Sequence, residues 1–142
     1  MGGGRTYPRP RTVAIVPIGI NRDDEQRQIT VVVSDPWSVE EIAIAVDRQL
    51  AEQVWSYGTL YDLRGSNSVP SEADVLWLVK RSQQQVARHG ARGPVAVLLD
   101  GNNQGPLLRT YAEYGGEHSH LTVGVFDDPD AARQWLVAHH HP

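Results

Sequence analysis

Five consecutive apolar residues at 95–99 (VAVLL) follow Gly93-Pro94 and precede Asp100. A run this short, rich in valine and bounded by turn residues, reads as a central strand covered on both faces. Such a strand needs a helix layer on each side of its sheet, and so it predicts an α/β domain. The rest of the chain alternates to match. Residues 12–18 (TVAIVPI) and 29–33 (ITVVV) are β-branched and predict two strands joined by a polar hairpin loop at 19–28. Ser38 stands three residues before Glu41, a capping-box spacing, and Val39, Ile42, Val46, Leu50 and Val54 follow at helical intervals. A helix is expected over 39–54, then a third strand at residues 58–62 (GTLYD), with a turn-rich loop at 63–70.

Ser71 opens a second helix with Asp74 at the capping-box spacing; its apolar positions are Val75, Leu78, Val79 and Val86, and Gly90 is placed to cap its end. Beyond the central strand, Gly105-Pro106 starts a helix carrying Leu107, Leu108, Tyr111 and Tyr114, which Gly115-Gly116 stops. The last strand is expected at 121–126 (LTVGVF). Asp127 or Asp128 then caps a final helix with Pro129 in its first turn and Ala131, Ala132, Trp135 and Leu136 facing inward. The predicted order is ββαβαβαβα: a mixed, mostly parallel five-stranded sheet with four helices in one domain at 12–138. The Gly-, Pro- and Arg-rich residues 1–11 read as a flexible tail, and 139–142 as a short His-rich one.

Composition narrows the function classes. The chain of 142 residues is 40% apolar and 21% charged, which suits a globular domain. Its net charge of -4 and single lysine, Lys80, argue against nucleic acid as a partner. The absence of cysteine excludes disulfides, thiolate catalysis and cysteine-based metal sites. The apolar runs are far shorter than the roughly 20 residues of a membrane span, and nothing reads as a signal peptide, so a cytoplasmic location is expected.

Three stretches carry a family resemblance. They are GTLYDLRGSNSVPSEADVLWLVKRSQ from Gly58, PVAVLLDGNNQGPLLRTYAEYGG from Pro94, and LTVGVFDDPDAARQWL from Leu121. With the element order, they resemble the STAS and SpoIIAA-like group of small α/β domains, which includes anti-sigma-factor antagonists. The resemblance covers residues 12–137 at the level of topology. It implies a non-enzymatic regulatory or protein-interaction module, acting on a protein partner or as a homodimer, with no cofactor. In the antagonist branch a serine at the start of the helix after the third strand takes a phosphate. Ser71 holds that place, in Val69-Pro70-Ser71-Glu72 where the antagonist motif reads Asp-Ser-Ser-Gly.

Read without the resemblance, Ser71 at a helix N-terminus suits either an anion or a plain N-cap. Asp62, Arg64, Ser66, Asn67 and Ser68 follow the third strand; Asp100, Gly101, Asn102, Asn103 and Gln104 follow the fourth. Ligands in open α/β sheets favour that carboxyl edge, so Asp62, Arg64, Ser66, Ser68, Ser71, Asp100, Asn102 and Asn103 form the candidate ligand or partner surface. Asp, Asn, Gly and Ser are equally what turns require, and Asp62 is placed to pair with Arg64. The segment 101–105 (GNNQG) lacks the Lys and Ser/Thr of a phosphate loop. His118 with His120, and the terminal His139, His140 and His141, show no metal-site spacing, and no metal is expected. No serine stands in a nucleophile-elbow motif. Asp23, Asp24 and Glu25 read as a solvated hairpin tip; Trp77 falls between the apolar positions of its helix, which suits either half-buried packing or a partly exposed interface residue. The competing expectations are a small apolar or anionic ligand held between helix and sheet near the 62–71 and 100–106 loops and, behind it, an enzyme of unrecognised class.

Overall fold

The computed structural model describes residues 18–67, 70–100 and 121–140. Along the chain run β1 (Ile18–Asp23), β2 (Gln28–Val33), α1 (Val39–Ala51), β3 (Gly58–Asp62), α2 (Glu72–His89), β4 (Val95–Leu98), β5 (Val123–Phe126) and α3 (Pro129–Ala138). The five strands form one mixed sheet in the order β1-β2-β3-β4-β5, antiparallel in the first pair and parallel in the other three. Three helices occur among the described residues rather than four; the helix expected after Gly105 lies outside them, as do residues 1–17.

Right-handed crossovers from β2 to β3 and from β3 to β4 put α1 and α2 on one face of the sheet. Ile29, Val31, Val33, Tyr61, Val95 and Val97 make the core on that side, with Ile42 of α1 packed against it. The alternate residues Leu60, Ala96 and Leu98 point to the other face, where they meet Ala132 and Leu136 of α3. All four residues of β4 are buried, as expected of a strand covered twice. Gly124 lets α3 approach β5: a Cβ there would crowd the Trp135 ring of α3 at 3.1 Å.

Three expected boundaries are corrected. A strand at Ile18–Asp23 takes up half of the stretch read as a hairpin loop, while residues 12–17 of the expected first strand lie outside the described residues. Its register sets Ile18 against Val33 and Ile20 against Val31, so the two isoleucines pack on the core while Gly19 and Asn21 between them stand outward. Polar residues on the free side of an edge strand make it look like a loop. The real turn is short: the Asp23 carboxylate accepts the Gln26 N–H at 3.0 Å and Arg27 has φ +53°. Helix α1 stops at Ala51, three residues early, because Gln53 turns left-handed at φ +60°. By contrast β3 and α2 follow the expected limits, with Ser71 as N-cap and Gly90, φ +88°, just beyond the last turn. The last strand is Val123–Phe126 and starts two residues later than expected, and Asp128 caps α3.

Candidate functional site

Helix α2 does not close fully on the sheet. Its Arg81 donates two hydrogen bonds to Asp47 of α1, 2.7 and 2.8 Å, and it leans on that helix. Beneath it lies a cavity of about 80 Å³. Its floor is Tyr61 and Leu63, Val95 and Val97, and Leu121 and Val123; its roof is Trp37, Ile42 and Val46, then Pro70, Val75, Leu78 and Ser82. That is a little over half the volume of a dry engineered cavity of about 150 Å³ that admits benzene.

Among the described residues one charged side chain, Arg92, lines this space. It precedes β4 and is only 7% exposed. Its Nη2 donates to Gln49 Oε1 at 2.5 Å and to Tyr61 Oη at 3.1 Å. Gln49, itself buried, donates from Nε2 to Thr59 Oγ1 at 2.9 Å, which aims its carbonyl oxygen at the guanidinium. The Trp55 ring lies 5.1 Å from Arg92 Cζ and receives the cation on its face. Among the described residues the buried Nε–H has no hydrogen-bond partner and no carboxylate forms an ion pair with Arg92.

Arg92 and Gln49 escape a reading of the sequence. The one signal for Gln49 is an amide on the apolar stripe of α1, three residues after Val46. Arg92 carries none, because only the fold brings a loop arginine under a helix.

The candidate surface at the carboxyl edge resolves into local structure. Asp62 accepts from Arg64 twice through the guanidinium, at 3.0 and 2.9 Å, and once through its N–H at 3.1 Å. The pair holds the Asp62 carboxyl below the ordinary carboxylate range. A depressed pKa stabilises the fold above the ordinary value of 3.8 and is lost as pH falls through the lowered one. Asp62→Asn is therefore expected to lose about 0.5 kcal/mol near neutral pH, the gap from the parent closing below it, in urea titrations run at a series of pH values.

Ser66 is buried and structural. Trp37 Nε1 donates to its Oγ at 2.6 Å, its hydroxyl donates to Asp35 Oδ1 at 3.0 Å, and Asn67 N–H donates to Asp35 Oδ2 at 2.7 Å. This network ties the loop after β3 to the loop after β2. Ser71 is exposed, and its Oγ accepts the Asp74 N–H at 3.1 Å, an ordinary N-cap. Ser71→Ala is expected to cost about 1 kcal/mol, read as a lower urea midpoint. Asp100 is exposed. Ser68, Asn102, Asn103, His118, His120 and His141 lie outside the described residues. Among the described residues none of Asp62, Arg64, Ser66, Ser71 or Asp100 lines the cavity, and no cluster of His, Asp or Glu could hold a metal ion.

Trp77 is partly exposed, as its place between the apolar positions of α2 suggests. It stays 41% exposed on α2, with the Arg81 guanidinium 5.7 Å from its ring centre. At the hairpin tip, Arg22 pairs with Asp24 at 2.5 Å and with Glu52 at 3.0 Å, and Tyr57 donates to Asp24 at 2.8 Å. These contacts join the tip to the end of α1. No described helix is long and apolar enough to cross a membrane.

No family model, no curated protein and no solved structure matches this chain.

Proposed function

We propose that this chain is a non-enzymatic binding module whose cavity between α2 and the sheet takes a small, largely apolar ligand. The observation that carries the reading is the apolar cavity of about 80 Å³ in a domain of this size. Packed interiors hold few voids larger than a water molecule, and about 10–15 Å³ suffices for one. A half-open pocket several times larger, walled mostly by valine, leucine and isoleucine, leaves dispersion contacts unmade that an apolar guest would supply. Methyl NMR spectra titrated with isobutanol test it. Saturable shifts are expected at Val75, Leu78, Val97 and Val123, while Leu60, Leu98 and Leu136 on the opposite face stay still. No shifts, or equal shifts on both faces, would sink the reading.

The STAS-like element order supports a second reading, a regulatory module acting through protein contact. Ile44 on α1 and Leu76 and Trp77 on α2 are apolar, 67%, 40% and 41% exposed, and the Asp47–Arg81 ion pair sets the two helices side by side. A second copy of the chain is the occupant this reading commits to. Sedimentation equilibrium is expected to show a dimer that Trp77→Ser weakens; a monomer at every concentration would contradict it.

A further inference from the structure

We infer that the outer face of α1 and α2 binds a second copy of this chain across a two-fold axis that passes through Ile44 and Trp77, with each helix antiparallel to its mate. The inference rests on the reading that this face meets a second copy, and adds the arrangement and the charges that select it.

The Asp47–Arg81 ion pair fixes the height of the two helices against each other. Ile44 stands one turn before Asp47 and Trp77 one turn before Arg81, so the two apolar side chains sit level. The helices run the same way, because each returns from one parallel strand to the next. Ile44 is 67% exposed and Trp77 is 41% exposed, with the Arg81 guanidinium against the tryptophan ring. Leu76, 40% exposed, adjoins them in the chain. Tryptophan is among the residues that most often anchor an interface, and here it stands at the centre of a helical layer.

The charges around that pair select the occupant. On α1, Glu40 stands four residues before Ile44 and Arg48 four residues after it, all exposed and on one stripe of the helix. On α2, half-buried Asp74 stands three residues before Trp77 and exposed Lys80 three residues after it. Both helices are therefore acidic on the N-terminal side of the patch and basic on the C-terminal side. A two-fold axis across the helices reverses their direction, so Glu40 faces the partner's Arg48 and Asp74 faces the partner's Lys80. Each pair occurs twice, flanking the apolar centre. A two-fold axis along the helices would keep their direction and set acidic half on acidic half, which like-charge repulsion disfavours. Arg48 binds Glu52 of its own helix through Nε at 2.6 Å, yet its side chain is 58% exposed and has two further amino groups to offer.

Sedimentation equilibrium of charge variants of the intact protein tests this. Glu40→Lys and Arg48→Glu are each expected to weaken the dimer about tenfold, because each sets like charges together at both symmetric positions. The double variant is expected to recover to within about threefold of the parent, which two independent losses could not do. The chain has no cysteine of its own, so single-cysteine variants give a second readout. Ile44→Cys is expected to form a disulfide-linked dimer on mild oxidation, since the axis brings the two side chains together. Val137→Cys, on α3 and at a position 61% exposed, is expected to stay unlinked. A dimer in which the charge variants do not rescue each other, or in which both cysteine variants link at the same rate, would overturn the arrangement and leave the dimer standing. A monomer at every concentration would overturn the dimer reading with it and leave the face to a different protein.

Discussion

Leu60→Ala is expected to destabilise the domain by about 3 kcal/mol, the middle of the range for deleting a buried leucine side chain. Leu60 is 1% exposed and sits in the middle strand of the sheet, on the α3 side. Its neighbours there are Ala96, Leu98, Ala132 and Leu136, all at most 1% exposed. A strand held in register by β2 and β4 cannot sink to fill the hole, so the loss comprises the transfer of the side chain and the cavity left behind. A domain of this kind has a total stability of about 5–15 kcal/mol, so this one change removes a large part of it. Urea denaturation checks it, with the midpoint falling and the slope unchanged. Val137→Ala is the control: Val137 is 61% exposed, and the expected change is within about 0.5 kcal/mol.

Gly93→Ala is expected to cost about 2–3 kcal/mol by a different route, overpacking against backbone. A Cβ at this position would overlap the carbonyl oxygens of Ser56 and Tyr57. Those atoms cannot rotate aside as a side chain could, and Gly93 N–H is itself tied to the Trp55 carbonyl at 3.0 Å. The segment carrying Trp55 or the one carrying Arg92 must shift. Either movement disturbs the Trp55–Arg92 stacking and the bond from Arg92 to Gln49. The same substitution is therefore expected to lower the melting temperature and to displace the Arg92 Nε–H resonance in whatever fraction remains folded. An alanine variant of parental stability would show that the backbone there yields.

How far the sequence foretells this molecule depends on whether a feature is local. The strand Gly58–Asp62 is legible to the residue because a glycine opens it and an acidic turn follows it. The helix from Glu72 is legible because Ser71 and Gly90 mark its two ends. The central strand is legible because covering it twice leaves no polar position in its pattern. The strand Ile18–Asp23 is not legible, because an edge strand alternating Ile18, Gly19, Ile20 and Asn21 shows the pattern of a polar loop as readily as that of a sheet.

The site is harder still. Reasoning from the carboxyl edge of a parallel sheet singles out Asp62, Arg64, Ser66 and Ser71. The structure uses them for an ion pair, a loop tie and a helix cap. The expectation of a guest between helix and sheet names the right layer, since Leu63, Pro70 and Val75 at one end of the cavity belong to the region of that loop. Arg92 of the cavity wall lies before β4, at the opposite edge. Gln49 and Arg92 are 43 residues apart in the chain, and their meeting is a property of the sheet order, which no local pattern encodes.

The central claim is a real apolar cavity between α2 and the sheet. A crystal structure of the protein under xenon pressure tests it most directly, because xenon fills dry voids and needs no polar partner. The account predicts a xenon atom bounded by Val75, Val97 and Val123, beside an Arg92 that keeps its bonds to Gln49 and Tyr61. A core with those valines in mutual contact, and no xenon between them, would contradict it.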